Sequence, residues 1–406
     1  MTDAPHTPAD PAQRPVIRLR PNADPRRIRW GFPWIYDNEL VTDRRTKALA
    51  PGSLAVVQDA ERQELGLAAV SPGSKMMARM LDRDPGAAVD HGWFAARLRK
   101  ALTLRERLFD APFYRLIHAE ADGLPGVIID RFGDTAVIQP NAAWADLRLQ
   151  VLADALAEVT GVTTIIANGS GRGRSLEGLP EMQEVLLGAA PDGPVPVPMN
   201  GATYMADLTG GQKTGLFYDQ RPNHAFVARM AHGARVLDMF SHVGGFALAA
   251  LAGGAEHAMA VDGSAAALDL AEQGARAGGV AERFTTRKGD AFAQMTALRD
   301  EGARFDLVIC DPPAFAPAKP ALTAGLRAYE KVAKMGAELV AEGGVLTLCS
   351  CSHAATLDKF RNACLRGIGR AGRSPALIRT GYAGPDHPVH PQLAESGYLK
   401  ALTFAL

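Results

Sequence analysis

The sequence predicts an α/β fold. A doubly wound, mostly parallel sheet fills the second half of the chain, preceded by a small all-β unit and an α+β middle segment. Two observations predict it. From about Asn200, five strand-like apolar runs alternate with helical stretches, a pattern that buries itself as a parallel sheet covered by helices on both faces. Before that, from Val16 to about Asp84, short strands are broken by turn residues at close intervals.

The whole chain narrows the function classes. At 406 residues it exceeds what one hydrophobic core usually serves, so two or three domains are expected. Apolar residues make up 47% and charged residues 22%, which places it among soluble globular proteins. Net charge is +0, so any affinity for nucleic acid must come from local patches. No run of about 20 uncharged apolar residues appears, so no membrane span is expected. "MTDAPHTPADPAQR" has no apolar signal core and reads as a disordered lead over 1–14. The four cysteines, Cys310, Cys349, Cys351 and Cys364, are too sparse for a disulfide framework, so a reducing cytoplasm is the expected location.

The elements follow in order. "VIRLR", "SLAVVQD", "ELGLAAVS" and "MMARMLD" are the strands of a first unit, 15–88. Residues 93–109 carry apolar residues at helical spacing with Arg and Lys between them. "YRLIHAE", "GVIIDRFGD" and "TAVIQP" are strands, followed by a helix over 144–159 and the strand "TTIIAN"; together they form a middle segment, 89–199. "GAAPDGPVPVP" (188–198) reads as its closing connector. In 200–406, strands are expected at 235–240, 258–262, 283–290, 305–313 and 343–352. Helices are expected at 244–252, 264–277, 290–299 and 319–341.

Ligands in such sheets bind at the carboxyl ends of the strands. "VLDMFSHVGGFALAA" (236–250) is a strand, a glycine turn and a helix, containing Asp238 and Gly244. Asp262 ends the second strand, where a carboxylate can accept both hydroxyls of a ribose. Both NAD and S-adenosylmethionine carry that ribose. G-x-G-x-x-G is absent, which argues against NAD. Asp290 follows the third strand, where an adenine amino group could be held. Asp311 and Pro312 in "CDPPAF" follow the fourth, where each proline locks φ and removes a donor. Each feature is weak alone, but four in order at successive strand ends point to a class I methyltransferase using S-adenosylmethionine.

The chain resembles the bacterial large-subunit ribosomal RNA methyltransferases of class I, of the cytosine-5 type. The motifs that carry the resemblance are "RWGFPWIYDNEL" (29–40), "AEADGLPGVIIDRFGD" (119–134), "GGQKTGLFYDQR" (210–221) and "DHPVHPQLAESGYLK" (386–400). It runs from about residue 16 to the end. It implies a small β-barrel PUA domain, an α+β middle domain and a Rossmann-like domain with a seven-stranded sheet. It also implies ribosomal RNA as partner, and relatives of this kind allow a homodimer. Within 210–221, Phe217, Asp219 and Arg221 are the implied cofactor-side residues, and Lys213 and Arg221 are expected to brace the domain junction. Phe217, Phe240 or Phe246 would flank an adenosyl group or serve as core. "NGSGRGRSLEGLP" (168–180) departs from the family in being glycine-rich.

The resemblance also assigns the thiols. C5 of cytosine is a poor nucleophile until a thiolate adds at C6. "SCS" (350–352) resembles the family's nucleophile motif, which makes Cys351 the implied nucleophile. Cys349 and Cys351 share a strand face, but Cys349 lies within the apolar run and reads as core, as does Cys310. Asp311 is the candidate for meeting the cytosine edge or protonating N3, against a role in turn geometry alone. The base that removes the C5 proton is unassigned. A zinc site would need a second ligand pair, and a redox pair usually has C-x-x-C; neither is present.

"RLRPNADPRRIRWGFPW" (18–34) packs Arg18, Arg20, Arg26, Arg27 and Arg29 among aromatic residues. Arginines can meet phosphates while aromatic faces stack on unpaired bases; the alternative is a solvated face with Trp34 in the core. "RLRKALTLRER" (97–107) is a second basic run, equally compatible with solvation. Two other functions remain open: methylation of a guanine nitrogen, which needs no thiol, and a non-catalytic RNA-binding assembly factor. The target nucleotide, and whether naked RNA or an assembled subunit is the substrate, are not encoded in any motif.

Overall fold

The computed structural model describes residues 14–210 and 215–406. Residues 1–13 of the expected lead lie outside them. Arg14, the last residue of that lead, donates to the carbonyls of Pro85 and Ala87 at 2.8 and 2.9 Å. The chain divides into two compact units, residues up to 190 with 388–393, and residues 191–387 with 394–406. The first unit takes in 15–88 and 89–190, and the division at 190/191 falls within the expected middle segment, 89–199. No helix among the described residues is long and apolar enough to cross a membrane.

The first unit holds two five-stranded sheets. One runs Val16–Arg18, Ser53–Gln58, Glu64–Val70, Ala78–Asp82, Trp34–Ile35, with only the first pair parallel. A backbone bridge joins Leu19 to Leu40. Alternate residues such as Ile17, Leu19, Val57 and Val70 turn inward to its core. The other sheet is Gln183–Leu187, Thr164–Asn168, Thr135–Pro140, Val127–Phe132, Phe113–His118. The expected helix at 93–109 spans His91–Leu108 and is capped by Asp90, which accepts from the Trp93 amide at 2.9 Å. The expected helix at 144–159 forms as two, Ala143–Asp146 and Leu149–Thr160.

Two basic residues of this unit are structural. Arg105 is fully buried, ion-paired to Asp122 at 2.6 Å and bonded to the Arg115 carbonyl, so this part of the 97–107 run is not solvated. In the glycine-rich stretch, buried Arg174 donates to the carbonyls of Pro140 and Pro180 and to Asp146. Trp34, expected in the core, is half-buried, with its indole N–H on Glu120 at 2.8 Å.

The second unit opens with a hairpin, Val195–Met199 and Ala202–Ala206, where the sequence suggested a connector. Asn200 and Gly201 turn it with φ of 55° and 76°. Pro196 and Pro198 fall at alternate positions whose missing N–H would point away from the partner strand. The main sheet has seven strands: β1 (Arg235–Met239), β2 (His257–Asp262), β3 (Phe284–Lys288), β4 (Phe305–Cys310), β5 (Val340–Ser350), β6 (Ala376–Gly381) and β7 (Lys400–Ala405). Their order is β3-β2-β1-β4-β5-β7-β6, and every pair is parallel except those made by β7. Order reverses between β1 and β4, where a doubly wound sheet opens a crevice at its carboxyl edge. This is the expected class I methyltransferase architecture.

Candidate active site

β1 runs into a loop that visits the left-handed region at Phe240, His242 and Gly244, with φ of 60°, 50° and 76°. For the two non-glycine residues this costs roughly 1–3 kcal/mol each, a strain that clusters at ligand clamps. Two carboxylates hold the loop. Asp238 is fully buried on β1, and its Oδ2 accepts from the Ala247 amide of helix Gly245–Ala252 at 2.9 Å. Its Oδ1 is buried with no hydrogen-bond partner among the described residues. Burial first, then the charges of Asp311 and Asp262, push this carboxyl up to about 8. Asp262, at the end of β2, accepts from the amides of His242 at 2.9 Å and Ser264 at 2.8 Å. It therefore shapes the β1 loop from the neighbouring strand.

Asp290 is exposed and caps helix Ala291–Asp300, accepting from the Ala293 amide at 3.0 Å. After β4, the Asp311 amide donates to the Met239 carbonyl, tying this turn to the end of β1. Gln220 Nε2 donates to Asp311 Oδ2 at 2.9 Å. Burial and the charge of Asp219 push the Asp311 carboxyl up to about 7. Pro312 is buried behind it. The rings of Phe240, Phe292 and Phe315 lie 6.4–6.5 Å apart beside the β1 and β4 turns. Phe217 lies against His242 at 5.1 Å, whereas Phe246 is buried against His224.

The stretch 216–221 reaches the same edge. Asp219 is buried, with Oδ2 accepting from the Tyr398 hydroxyl at 2.6 Å and Oδ1 lacking a hydrogen-bond partner among the described residues. Arg221 starts helix Arg221–Ala228, its guanidinium 5.3 Å from the Tyr218 ring and under the charge of Asp386. Lys213 lies outside the described residues.

Of the four cysteines, three are buried and only Cys351 is half-buried, one residue past the end of β5. Burial raises the thiols of Cys310, Cys349 and Cys364. The Cys351 turn is framed by hydroxyls. Ser350 donates to Tyr329 Oη at 2.9 Å, that oxygen shares a 2.7 Å hydrogen bond with Ser352 Oγ, and Ser352 Oγ accepts from the Ala316 amide at 2.9 Å. The last bond joins the turns after β4 and β5, so Asp311 and Cys351 share one end of the sheet.

Sequence reasoning named neither Gln220 nor Tyr398 nor Tyr329 as site residues. Gln220 was reachable, since it lies between Asp219 and Arg221 in the same motif. Tyr329 sits mid-helix with no local signal.

Of the arginines expected to meet RNA, Arg27 pairs with Glu39 at 2.9 Å and lies over the Phe32 ring, and Arg29 pairs with Asp59 at 2.5 Å. Arg20 donates to the Leu40 carbonyl. Arg26 is exposed, and neither it nor Arg18 has an ion pair among the described residues. Trp30, beside them, is 67% exposed.

A family model described as S-adenosylmethionine-dependent methyltransferase matches residues 142–404, and one described as a PUA-like domain matches 17–83. The chain is 35% identical over 372 residues to the ribosomal RNA large subunit methyltransferase I of Erwinia tasmaniensis, covering 91% of this chain and 93% of that protein. It is 35% identical over 407 residues to a Deinococcus radiodurans ribosomal RNA large subunit methyltransferase, covering 97% and 98%. A solved Streptococcus mutans chain described as a candidate SAM-dependent methyltransferase superposes with a TM-score of 0.81 at 19% identity, over 97% of this chain and all of that one.

Proposed function

Because the chain belongs to the S-adenosylmethionine-dependent methyltransferases that carry a PUA-like domain, we propose that it methylates C5 of a cytidine in large-subunit ribosomal RNA, with Cys351 as nucleophile. The relatives' names support the RNA. One observation carries the chemistry: the single half-buried thiol of the four lies at the same end of the sheet as Asp311.

The site suits the cofactor. Buried, unpartnered carboxylate oxygens on Asp219 and Asp238 would favour a cationic amino acid moiety, and Asp262 has lone pairs left for a ribose diol. Phe217, Phe240, Gly244 and Asp290 would line the adenosyl side, while Arg221 and Pro312 shape the surround. Bound S-adenosylmethionine supplies an electrophilic methyl group on a sulfonium.

The chain's own residues prepare the base to receive it. Cys351 Sγ, as thiolate, adds to C6, and the ring electrons shift to make C5 nucleophilic. With its carboxyl near 7, Asp311 can hold a proton at neutral pH and donate it toward N3, drawing charge away from the ring. Once C5 is methylated, loss of its proton restores the double bond, the S–C6 bond breaks and the thiolate returns. Arg18, Arg20, Arg26, Arg27 and Arg29 would supply phosphate contacts, with Arg26 the least committed of them.

The test is to incubate the protein with methyl-labelled cofactor and unmodified, deproteinised large-subunit RNA, then identify the labelled nucleoside. Labelled 5-methylcytidine that disappears in Cys351→Ser is the expected outcome. A labelled guanosine, or label surviving Cys351→Ser, would overturn the role of the thiol.

A further inference from the structure

We propose that Lys400 is a positioning residue for Cys351, its buried ammonium fixing the turn that carries the thiol and supplying the positive charge that faces the thiolate. The inference rests on the reading of Cys351 as nucleophile and deepens it.

Lys400 opens β7 and pairs directly with Ser350, the last residue of β5. Its side chain runs beneath the turn that follows. Nζ donates to the carbonyls of Ser352 at 2.7 Å and Ala355 at 2.8 Å. Cys351 therefore sits between one residue that pairs with the Lys400 backbone and another that accepts from the Lys400 ammonium.

Lys400 is 5% exposed and has no carboxylate within ion-pair distance among the described residues. Two neutral carbonyls satisfy two of its three donors but leave its charge unbalanced, and an unbalanced buried ammonium is expensive. An anion close by would resolve this. The carboxylates of the site are engaged elsewhere, Asp311 with Gln220, Asp219 with Tyr398 and Asp238 with Ala247. The charge that acts on Lys400 is that of Cys351: burial lowers the ammonium to about 8, and the thiolate opposes that lowering. Of the other titratable groups at the turn, His353 is exposed to solvent. Burial raises the hydroxyl of Tyr329 and the thiol of Cys349.

A purely structural role predicts something different. The turn is also held from its other side by Ser350, Tyr329, Ser352 and the Ala316 amide. Lys400 differs from these groups in bringing a full positive charge to the turn.

The test is the pH dependence of Cys351 carbamidomethylation by iodoacetamide in the full chain, followed by peptide mass spectrometry, in wild type, Lys400→Gln and Lys400→Arg. The wild-type thiol is expected to titrate below the ordinary value of about 8.5. Lys400→Gln, which can still donate to a carbonyl, should raise the midpoint by a unit or more, about a tenfold loss of thiolate at neutral pH. Lys400→Arg should keep it low. An unchanged midpoint in a folded Lys400→Gln protein overturns the proposal. So does a wild-type midpoint at or above about 8.5, which is readable even if the variant does not fold. The readout does not involve methyl transfer. If Cys351→Ser still methylates RNA, the nucleophile reading fails while the thiol titration decides the role of Lys400 separately.

Discussion

Gln220 donates to Asp311 Oδ2 at 2.9 Å and, through its own Oε1, accepts from Asn223 Nδ2 at 2.7 Å. One buried amide thus connects the start of helix Arg221–Ala228 to the turn after β4. Its bond favours the ionised carboxylate of Asp311 and opposes the raising effect of burial. Gln220→Leu is predicted to push the Asp311 carboxyl higher. If protonated Asp311 assists the reaction, the alkaline fall in kcat/KM for RNA methylation moves to higher pH in this variant. An alkaline limb that stays in place in a folded variant would rule that role out.

Asp238 sets a pH dependence of stability. Its carboxyl is raised to about 8 in the fold, against about 3.9 in an unfolded chain. Between those values the folded state holds a proton that the unfolded state has lost, so stability falls as pH rises, by up to about 1.4 kcal/mol per unit. Cofactor-free protein is therefore predicted to melt at progressively lower temperature from pH 5 to pH 8. Asp238→Asn should flatten that slope, as thermal melts across the range will show.

Tyr398→Phe removes the hydroxyl that Asp219 accepts at 2.6 Å. Losing a hydrogen bond to a buried charged group costs about 1.5–3 kcal/mol. The prediction is cofactor affinity weakened roughly tenfold or more, measured by titration calorimetry. Unchanged affinity would mean that the Tyr398 hydroxyl does not position Asp219 for the cofactor.

Arg105 and Arg27 offer a contrast in one unit. The Arg105–Asp122 pair is almost fully buried, so Arg105→Met should cost about 3–5 kcal/mol by stranding Asp122. The Arg27 side chain is 41% exposed, and Arg27→Met should cost under about 1 kcal/mol. Denaturant melts of the two variants test this directly.

Arg26 is predicted to matter for RNA more than Arg27 or Arg29, whose charges Glu39 and Asp59 already oppose. Arg26→Ala should lower the slope of log affinity against log salt by about one ion. Arg27→Ala should change it less. Equal changes would mean that the ion pairs open on binding.

The sequence by itself determined the architecture of the second unit and placed the candidate site residues at its carboxyl edge. Apolar runs at strand and helix periods are local properties, and in a doubly wound sheet they dictate where loops, and hence Asp262, Asp290 and Asp311, must emerge. Residue order within β5 likewise separated Cys349 from Cys351. The hairpin at 195–206 was legible too, in Asn200–Gly201, but its prolines masked it. Only the tertiary structure decided which partners each group has. Tyr398 reaches Asp219 across 179 positions, and Lys400 reaches the Cys351 turn from a strand nearly 50 residues away. The same holds for Arg105 and Arg174, basic residues of exposed-looking stretches whose charges are buried in the first unit. Hydrogen bonding and desolvation act through space, so burial, partner and proton affinity are set by packing that no local pattern records.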